Sequence, residues 1–210
     1  MLEDLGRKFA RFTTNQVVRR PRLWPLFRGL TRRQFDRMAP VWDGMRSDDS
    51  FAPLQAALDS LDTSPERVLD LGTGTGRAAF LLARRYPDAE VVGVDLAPAM
   101  LAEARKLTPP ELASRVRFEQ ADAERLPYPD ASFDVVSLAN MIPFFPELER
   151  VTAARGAVVF SFSGGAETPI YVPSEVLRSE LSERGFTEFA DFAAGNGTAF
   201  VARKPPGGVT

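Results

Sequence analysis

A run of alternating glycines is the feature of this sequence best suited to binding a ligand through the backbone. Gly72, Gly74 and Gly76 follow directly on residues 68–71, a short apolar run that predicts a buried strand. Glycine permits positive φ and lets the backbone come close to a ligand. Residues 78–86 are predicted to form a helix, whose first N–H groups would face the same ligand. The unit therefore predicts a backbone cradle between a strand and a helix.

Carboxylates beside the first three predicted strands could complete an adenosine site. Asp70 precedes the glycines, Asp95 ends the second strand and Asp122 follows the third. Asp95 is placed to accept hydrogen bonds from two ribose hydroxyls, and Asp122 from an adenine amino group. Leu96 and Met100 are expected to flank the base as apolar walls. No phosphate clamp accompanies these groups, although the glycine loop also fits the dinucleotide-binding pattern G-x-G-x-x-A.

Cysteine and histidine are both absent from the 210 residues. Disulfides and thiolate nucleophiles are therefore excluded, as are imidazole bases and histidine metal ligands. This removes thiol proteases, Ser-His-Asp hydrolases and His-ligated zinc sites, and we expect no metal. The chemistry has to depend on positioning, carboxylates, tyrosine or a cofactor.

The groups above would be positioned by strands that alternate with helices from residue 67 onward. Strands are predicted at residues 68–71, 90–95, 116–120, 133–138, 157–162, 186–192 and 198–202. The alternation predicts an α/β fold, a Rossmann-like, doubly wound and mostly parallel seven-stranded sheet. A Gly-Asn-Gly turn at 195–197 indicates a C-terminal hairpin that adds one antiparallel strand. We therefore divide the chain into N-terminal helices (1–62), the Rossmann-like domain (63–204) and a tail (205–210).

Residues 66–140 resemble class I S-adenosylmethionine (SAM)-dependent methyltransferases. Four ordered segments carry the resemblance: residues 68–76, 92–101, 121–128 and 132–136. The resemblance implies that SAM is the cofactor and that Asp70 and the glycine loop, with Thr73, hold its methionine end. It also implies that Asp95 binds the ribose and that Asp122 with Ala123 recognises the adenine. Asn140 would line the methyl-transfer side.

Residues 35–43 resemble the N-terminal segment of the ubiquinone/menaquinone-type C-methyltransferases, in which this segment covers the cofactor. Two features further along depart from the family. The stretch between Asn140 and Ala157 is short, and Ala-Arg-Gly at 154–156 replaces the usual Pro-Gly-Gly before the fifth strand. A trimmed loop would leave the acceptor pocket open, or leave its closure to the N-terminal helices.

Aromatic and apolar side chains near these segments could form an acceptor pocket. The candidates are Trp42, Met141, Phe144 and Tyr171, although large aromatic residues more often serve as core or lid packing. A general base is needed only if the acceptor keeps its proton at attack, and without histidine it would be a carboxylate, tyrosine or water. Asp36, Asp43 and Tyr171 are the weak candidates. We expect in-line methyl transfer to O, C or N of a small, apolar or aromatic acceptor.

Charge is divided unevenly along the chain, although the net charge is only −2. Residues 1–37, the basic arm, hold ten Lys/Arg and three Asp/Glu, and the remaining residues have a net charge of −9. Three interpretations are open: a solvated helix face, an interfacial helix on an anionic membrane, and a nucleic-acid contact. The net negative charge of the remaining residues, hereafter the body, argues against nucleic acid, so we expect none. The oligomeric state is not indicated.

Two other functions fit the same motifs. An NAD(P)-dependent oxidoreductase would use the same glycine loop, but the sequence lacks a recognisable Tyr-Lys pair or His base. A non-catalytic SAM-binding protein would use the same cofactor site, and the short loop after the fourth strand is compatible with it. Neither a long uncharged apolar run nor a secretory signal is evident, so we expect a cytoplasmic protein.

Overall fold

A seven-stranded sheet forms the centre of the protein, as described by a computed structural model over residues 2–45 and 48–207. The strands are β1 (Arg67–Leu71), β2 (Glu90–Asp95), β3 (Val116–Gln120), β4 (Phe133–Ala139), β5 (Thr152–Phe162), β6 (Glu188–Ala194) and β7 (Gly197–Arg203). Their order is β3-β2-β1-β4-β5-β7-β6. The first five strands pair in parallel, and β7 is antiparallel to both β5 and β6. The predicted Rossmann-like sheet with one antiparallel hairpin strand is therefore confirmed.

Helices cover both faces of this sheet. They are α1 (Leu2–Arg19), α2 (Trp24–Met38), α3 (Ala52–Asp59), α4 (Arg77–Arg85), α5 (Pro98–Leu107), α6 (Phe145–Val151) and α7 (Ser174–Ser182). Short 3-10 helices connect several of them. No helix in the part of the chain that the structure describes is long and apolar enough to cross a membrane.

Alternating strand residues divide the core into two layers, one on each face of the sheet. Leu69 and Val92 belong to the layer beneath α6 and α7. Val68 and Val91 belong to the layer beneath α3, α4 and α5. Trp24 is buried in the first layer, so α2 packs against the domain that carries the glycine loop. The division of the chain at residue 62 stays a prediction.

The fifth strand begins five residues earlier than predicted, at Thr152. Its pairing with β4 shifts between Phe133 and Val135, so the extra residues are absorbed by an irregularity beside Gly156. A methyl group on Gly156 would lie 2.8 Å from the carbonyl oxygen of Ala153, which leaves room only for glycine. The short crossover after β4 nevertheless contains a complete helix, α6.

Candidate functional site

Each glycine of the loop between β1 and α4 has a backbone conformation that other residues rarely adopt. The φ angle is +75° at Gly72, +55° at Gly74 and +85° at Gly76. A methyl group on Gly72 would lie 2.7 Å from Met141 Sδ, and one on Gly74 would lie 3.3 Å from Trp42 Nε1. The loop therefore presents bare backbone towards two of the side chains predicted to surround the pocket.

Asp70 holds this loop from beneath. The side chain is buried, and its Oδ2 accepts a hydrogen bond from Thr73 Oγ1 at 2.6 Å. The N–H groups of Gly72 and Thr73 both donate to the carbonyl oxygen of Val94, at 2.8 and 2.9 Å. These bonds join the end of β1 to the end of β2. Asp70 and Thr73 thus shape the loop, and their contact with the methionine end of SAM stays a prediction.

Asp95, the last residue of β2, reaches across to the glycine loop. Its Oδ2 accepts from the Gly74 N–H and its Oδ1 from the Ala97 N–H, both at 2.9 Å. A carboxylate offers about four acceptor positions, so two remain for the paired hydroxyls of a ribose. Burial raises the pKa of Asp95, the N–H groups of Ala97 and Gly74 oppose this, and the negative charge of Asp36 raises it further. When Asp95 is ionised, it therefore keeps acceptor positions beside the glycine loop, and its contact with a ribose stays a prediction.

Asp122 follows β3 at the same edge of the sheet, but helix α2 holds it. Its Oδ1 accepts from Trp24 Nε1–H at 2.8 Å and from the Glu124 N–H at 3.0 Å. Its Oδ2 lies 3.5 Å from Arg28 Nη1. An adenine amino group would therefore share Oδ2 with Arg28. Sequence reasoning missed Trp24 and Arg28 as partners of this carboxylate.

Leu96 and Met100, the two residues predicted to flank the adenine, differ in solvent exposure. Leu96 is partly exposed beside Asp95, whereas Met100 is fully buried. Met100 clusters with Ala39, and Trp42 packs against that cluster. Ala123 is buried too. Met100 is therefore packed beneath residues 35–42, because α5 turns it towards α2, and its contact with an adenine stays a prediction.

The segment formed by residues 35–43, hereafter the covering segment, lies over the glycine loop. Asp36 Oδ1 accepts from the Ala99 N–H at 3.1 Å, at the start of α5. Asp43 Oδ1 accepts from Thr75 Oγ1 at 2.5 Å. Both aspartates, predicted as weak base candidates, thus anchor the covering segment to the domain. Each aspartate uses Oδ1 in this contact, and a role in proton abstraction stays a prediction.

Two residues that follow β4, Asn140 and Phe144, contact the end of β5 and helix α2 respectively. Asn140 has a φ of +54°, its Oδ1 accepts from the Ser163 N–H at 3.0 Å, and its Nδ2 donates to Ser163 Oγ at 3.2 Å. The ring of Phe144 is buried and meets Trp24 edge-on at 5.4 Å between centroids. Phe144 is therefore core packing, and Asn140 ties the ends of β4 and β5 together.

Tyr171, the third base candidate, is placed with residues of β5 to β7. Its ring meets Phe162 edge-on at 5.1 Å between centroids, and it lines a groove of about 280 Å³ together with Asp191. Burial raises the pKa of Tyr171, and the negative charges of Glu175 and Asp191 raise it further. The phenol therefore keeps its proton at neutral pH and is a poor base. Hydrogen bonds join the glycine loop to Asp95 and to the covering segment, whereas Tyr171 contacts Phe162 and lines the groove beside β5 to β7.

Comparison with known proteins shows which proteins the region around this site is similar to. A family model described as a methyltransferase domain matches residues 68–160. The malonyl-[acyl-carrier protein] O-methyltransferase of Halorhodospira halophila is 42% identical over 146 residues, covering 65% of this chain and 49% of that protein. The demethylmenaquinone methyltransferase of Thermus thermophilus is 42% identical over 137 residues, covering 60% and 62%.

A solved structure shares the fold. Phosphoethanolamine N-methyltransferase 2 of Haemonchus contortus, in complex with S-adenosyl-L-methionine, has a TM-score of 0.59 at 19% identity. The likeness covers 75% of this chain and 52% of that one. The chain also spans only about half to two thirds of the length of the two relatives above, 49% and 62% respectively.

Proposed function

Because the chain carries a class I SAM-dependent methyltransferase domain, we propose that the protein transfers the methyl group of SAM to a small acceptor. One observation carries this proposal. The carboxylate of Asp95 is fixed by the Gly74 N–H at 2.9 Å and keeps acceptor positions for a ribose beside the bare backbone of the loop. With SAM as the cofactor of this domain, the NAD(P)-dependent oxidoreductase is no longer supported.

Each part of the site has a distinct role in this proposal. Asp95 binds the ribose hydroxyls, and Asp122 accepts from the adenine amino group through Oδ2, with Leu96 against the base. Gly72 and Gly74 let the methionine end approach the backbone, in a loop whose shape is set by Asp70. SAM, when bound, supplies a methyl group that its sulfonium has already activated. The covering segment, through Trp42, excludes water from the loop.

The acceptor is proposed to be one that attacks without a protein base. Asp36 and Asp43 anchor the covering segment, and burial and nearby carboxylates raise the pKa of Tyr171. An acceptor that loses its proton to water, such as a carboxylic acid or an acidic phenol, suits a site whose candidate bases either anchor the covering segment or have a raised pKa. The protein then acts mainly by holding the acceptor in line, which can contribute on the order of 7 kcal/mol.

The names of the two relatives are compatible with such acceptors. One is named for malonyl-[acyl-carrier protein] and the other for demethylmenaquinone. The apolar side chain of Met141 against Gly72 favours an acceptor with an apolar or aromatic part. We therefore propose small carboxylic acids and aromatic phenols as the first compounds to test.

Titration calorimetry with S-adenosylhomocysteine tests the cofactor site. Wild type is expected to bind, and Asp95→Ala to bind at least about tenfold more weakly, since it loses two charge-assisted hydrogen bonds to the ribose. Asp191→Ala is the matched control, because Asp191 is an exposed aspartate on β6 that pairs with Arg178. Absence of binding by the wild type, or equal binding by Asp95→Ala, would refute the proposed site.

Transfer itself is tested with methyl-labelled SAM and a panel of carboxylic acids, phenols and amines. Label is expected in a carboxylic acid or phenol with the wild type, and at a much lower rate with Asp95→Ala at subsaturating SAM. Binding of S-adenosylhomocysteine without transfer to any member of the panel would instead support the non-catalytic SAM-binding protein.

A further inference from the structure

The side of α2 that faces away from the domain carries leucines and arginines together. Leu26 is 71% exposed and Leu30 is 55% exposed. Arg33 and Arg37 are also exposed. Helical spacing places these four side chains within one stripe, on the opposite side of the helix from the buried Trp24. This stripe is called the outward face.

Exposed apolar side chains are concentrated around the outward face. Phe12 on α1 is 54% exposed, and Val41, just after α2, is 60% exposed. The ring of Phe12 packs on Phe27 of α2 at 6.0 Å between centroids, so the two helices share one apolar surface. Four of the five large apolar side chains that are exposed in the described part of the chain lie here, and Leu107 is the fifth. This clustering is unlike the scattered exposure normal for a soluble surface.

Charge is concentrated in the same region. The basic arm has a net charge of +7 and the remainder of the chain a net charge of −9. Besides Arg33 and Arg37, exposed arginines of the arm include Arg19, Arg20, Arg22 and Arg32. Such a separation of charge orients the protein in an electric field, with the arm towards a negative surface.

We infer that the outward face docks on an anionic lipid bilayer. Leu26, Leu30 and Phe12 would enter the boundary between headgroups and acyl chains, and Arg33 and Arg37 would lie among the lipid phosphates. Nucleic acid would account for the arginines, but exposed leucines at helical spacing gain nothing from a phosphate backbone. The two residue types together therefore favour the bilayer.

Docking in this way would bring the cofactor site close to the membrane. The inner side of α2 is bonded to Asp122 through Trp24, and the covering segment that continues α2 is bonded to α5 through Asp36. The helix that would lie on the lipid is thus the helix that borders the cofactor site. Membrane binding does not depend on methyl transfer, and the two can be tested separately.

Co-sedimentation of the full chain with vesicles tests this inference. Vesicles of phosphatidylcholine alone are compared with vesicles that also contain phosphatidylglycerol. The test variants are Leu26→Gln with Leu30→Gln, and Arg33→Gln with Arg37→Gln. The control, Leu107→Gln with Arg84→Gln, removes an exposed leucine and an exposed arginine from helices of the body.

Wild type and control are expected to bind the phosphatidylglycerol vesicles equally. Each arm variant is expected to bind about tenfold more weakly or worse, because each loses two groups that contact the bilayer. Binding of S-adenosylhomocysteine should be unchanged in the leucine variant and in the control, and the unfolding temperature should be unchanged in all variants, since the altered side chains are exposed. A failure of the cofactor proposal would therefore appear in that measurement and not in the sedimentation.

Two results would overturn the inference. The first is no vesicle binding by the wild type, or equal binding by wild type and both arm variants. The second is binding to duplex DNA or RNA in preference to vesicles, with the leucine variant unaffected, which would assign the arginines to nucleic acid.

Discussion

The indole N–H of Trp24 donates a hydrogen bond to the carboxylate of Asp122 at 2.8 Å. Trp24 is only 3% exposed, and its ring also meets the buried Phe144. Arg28, one turn further along α2, lies 3.5 Å from the other oxygen of the same carboxylate. Two successive turns of the basic arm therefore hold the carboxylate proposed to recognise adenine, which makes the arm part of the proposed cofactor site.

Replacement of Trp24 by Phe should destabilise the protein through loss of this bond. Trp24→Phe keeps an aromatic ring against Phe144 but removes one of the charge-assisted donors to Asp122, leaving the Glu124 N–H and Arg28. We expect the free energy of unfolding to fall by about 1.5–3 kcal/mol, measured by urea titration. Arg28→Gln serves as the comparison, and because Arg28 is largely exposed it should cost at most about 1 kcal/mol. Equal stabilities of the two variants would show that the indole bond contributes little.

The contrast between Asp95 and Asp122 shows which parts of the site the sequence could predict. Asp95 ends an apolar run, so local pattern was sufficient to place it at the end of β2, where it bonds to a glycine 21 residues away. The partner of Asp122 lies 98 residues away on α2, a separation that no local pattern spans. The fold was predictable because alternating apolar runs and a Gly-Asn-Gly turn are local signals.

The roles of the covering segment show a second limit. Asp36 and Asp43 are weak base candidates by residue type alone, yet each accepts a hydrogen bond that fixes the segment in place. A sequence records that a carboxylate is present but not which donor reaches it. The burial of Met100 likewise depends on how α2 packs across α5, which no local pattern records.

Cofactor affinity should weaken as the pH falls. Burial raises the pKa of Asp95, and the negative charge of Asp36 raises it further. Only the ionised carboxylate can accept hydrogen bonds from both ribose hydroxyls, so protonation of Asp95 removes an acceptor. The dissociation constant of S-adenosylhomocysteine should therefore rise as the pH falls through this raised pKa, and the rise should begin above the ordinary aspartate value of about 3.9.

Asp36→Asn provides the control for this pH dependence. Its Oδ1 can still accept from the Ala99 N–H, while the negative charge beside Asp95 is lost. Calorimetry across the acid range should show the midpoint of the affinity loss moving to lower pH in this variant. A midpoint that does not move would mean that Asp36 has no effect on the titration of Asp95.

Alanine substitutions at two glycines of the loop should affect stability and cofactor binding to different degrees. A methyl group at Gly76 would lie 2.7 Å from Phe118 Cζ and 3.0 Å from Phe80 Cζ, both in buried rings, at a φ of +85°. Gly76→Ala should therefore lose roughly 2–5 kcal/mol of stability from backbone strain and overpacking together. Thermal unfolding would measure this loss.

Gly74→Ala should weaken cofactor binding more than it destabilises the protein. Its methyl group would approach only Trp42, with Nε1 at 3.3 Å, and Trp42 is partly exposed and can shift. The strain of the positive φ should cost about 1–2 kcal/mol of stability. The affinity for S-adenosylhomocysteine should fall by more than this loss of stability explains, because the added methyl group covers the backbone that the cofactor is proposed to approach. If Gly74→Ala binds as tightly as wild type, the loop does not approach the cofactor.

Glu147 and Arg150 of α6 should stabilise the protein in a pH-dependent way. Glu147 accepts from Arg150 Nε at 2.8 Å and Nη2 at 2.7 Å, and from the Leu126 N–H at 2.7 Å. Arg150 also donates to the carbonyl oxygens of Leu126 and Tyr128. The pair thereby fixes the connection between β3 and β4 to α6.

Burial alone would raise the pKa of Glu147, but the hydrogen bonds from Arg150 and Leu126 and the charge of Arg150 outweigh it and lower the pKa. A lowered folded-state pKa means that the stabilisation is complete above the unfolded value of about 4.3 and is lost as the pH falls through the folded value. Glu147→Gln should therefore cost about 1.5–3 kcal/mol at neutral pH, and the difference from wild type should shrink in acid. Glu103→Gln, which removes a surface pair with Lys106, should cost less than about 0.5 kcal/mol at either pH. Urea unfolding at neutral and acid pH distinguishes them, and a Glu147→Gln difference that is independent of pH would show that the ionised pair is not its source.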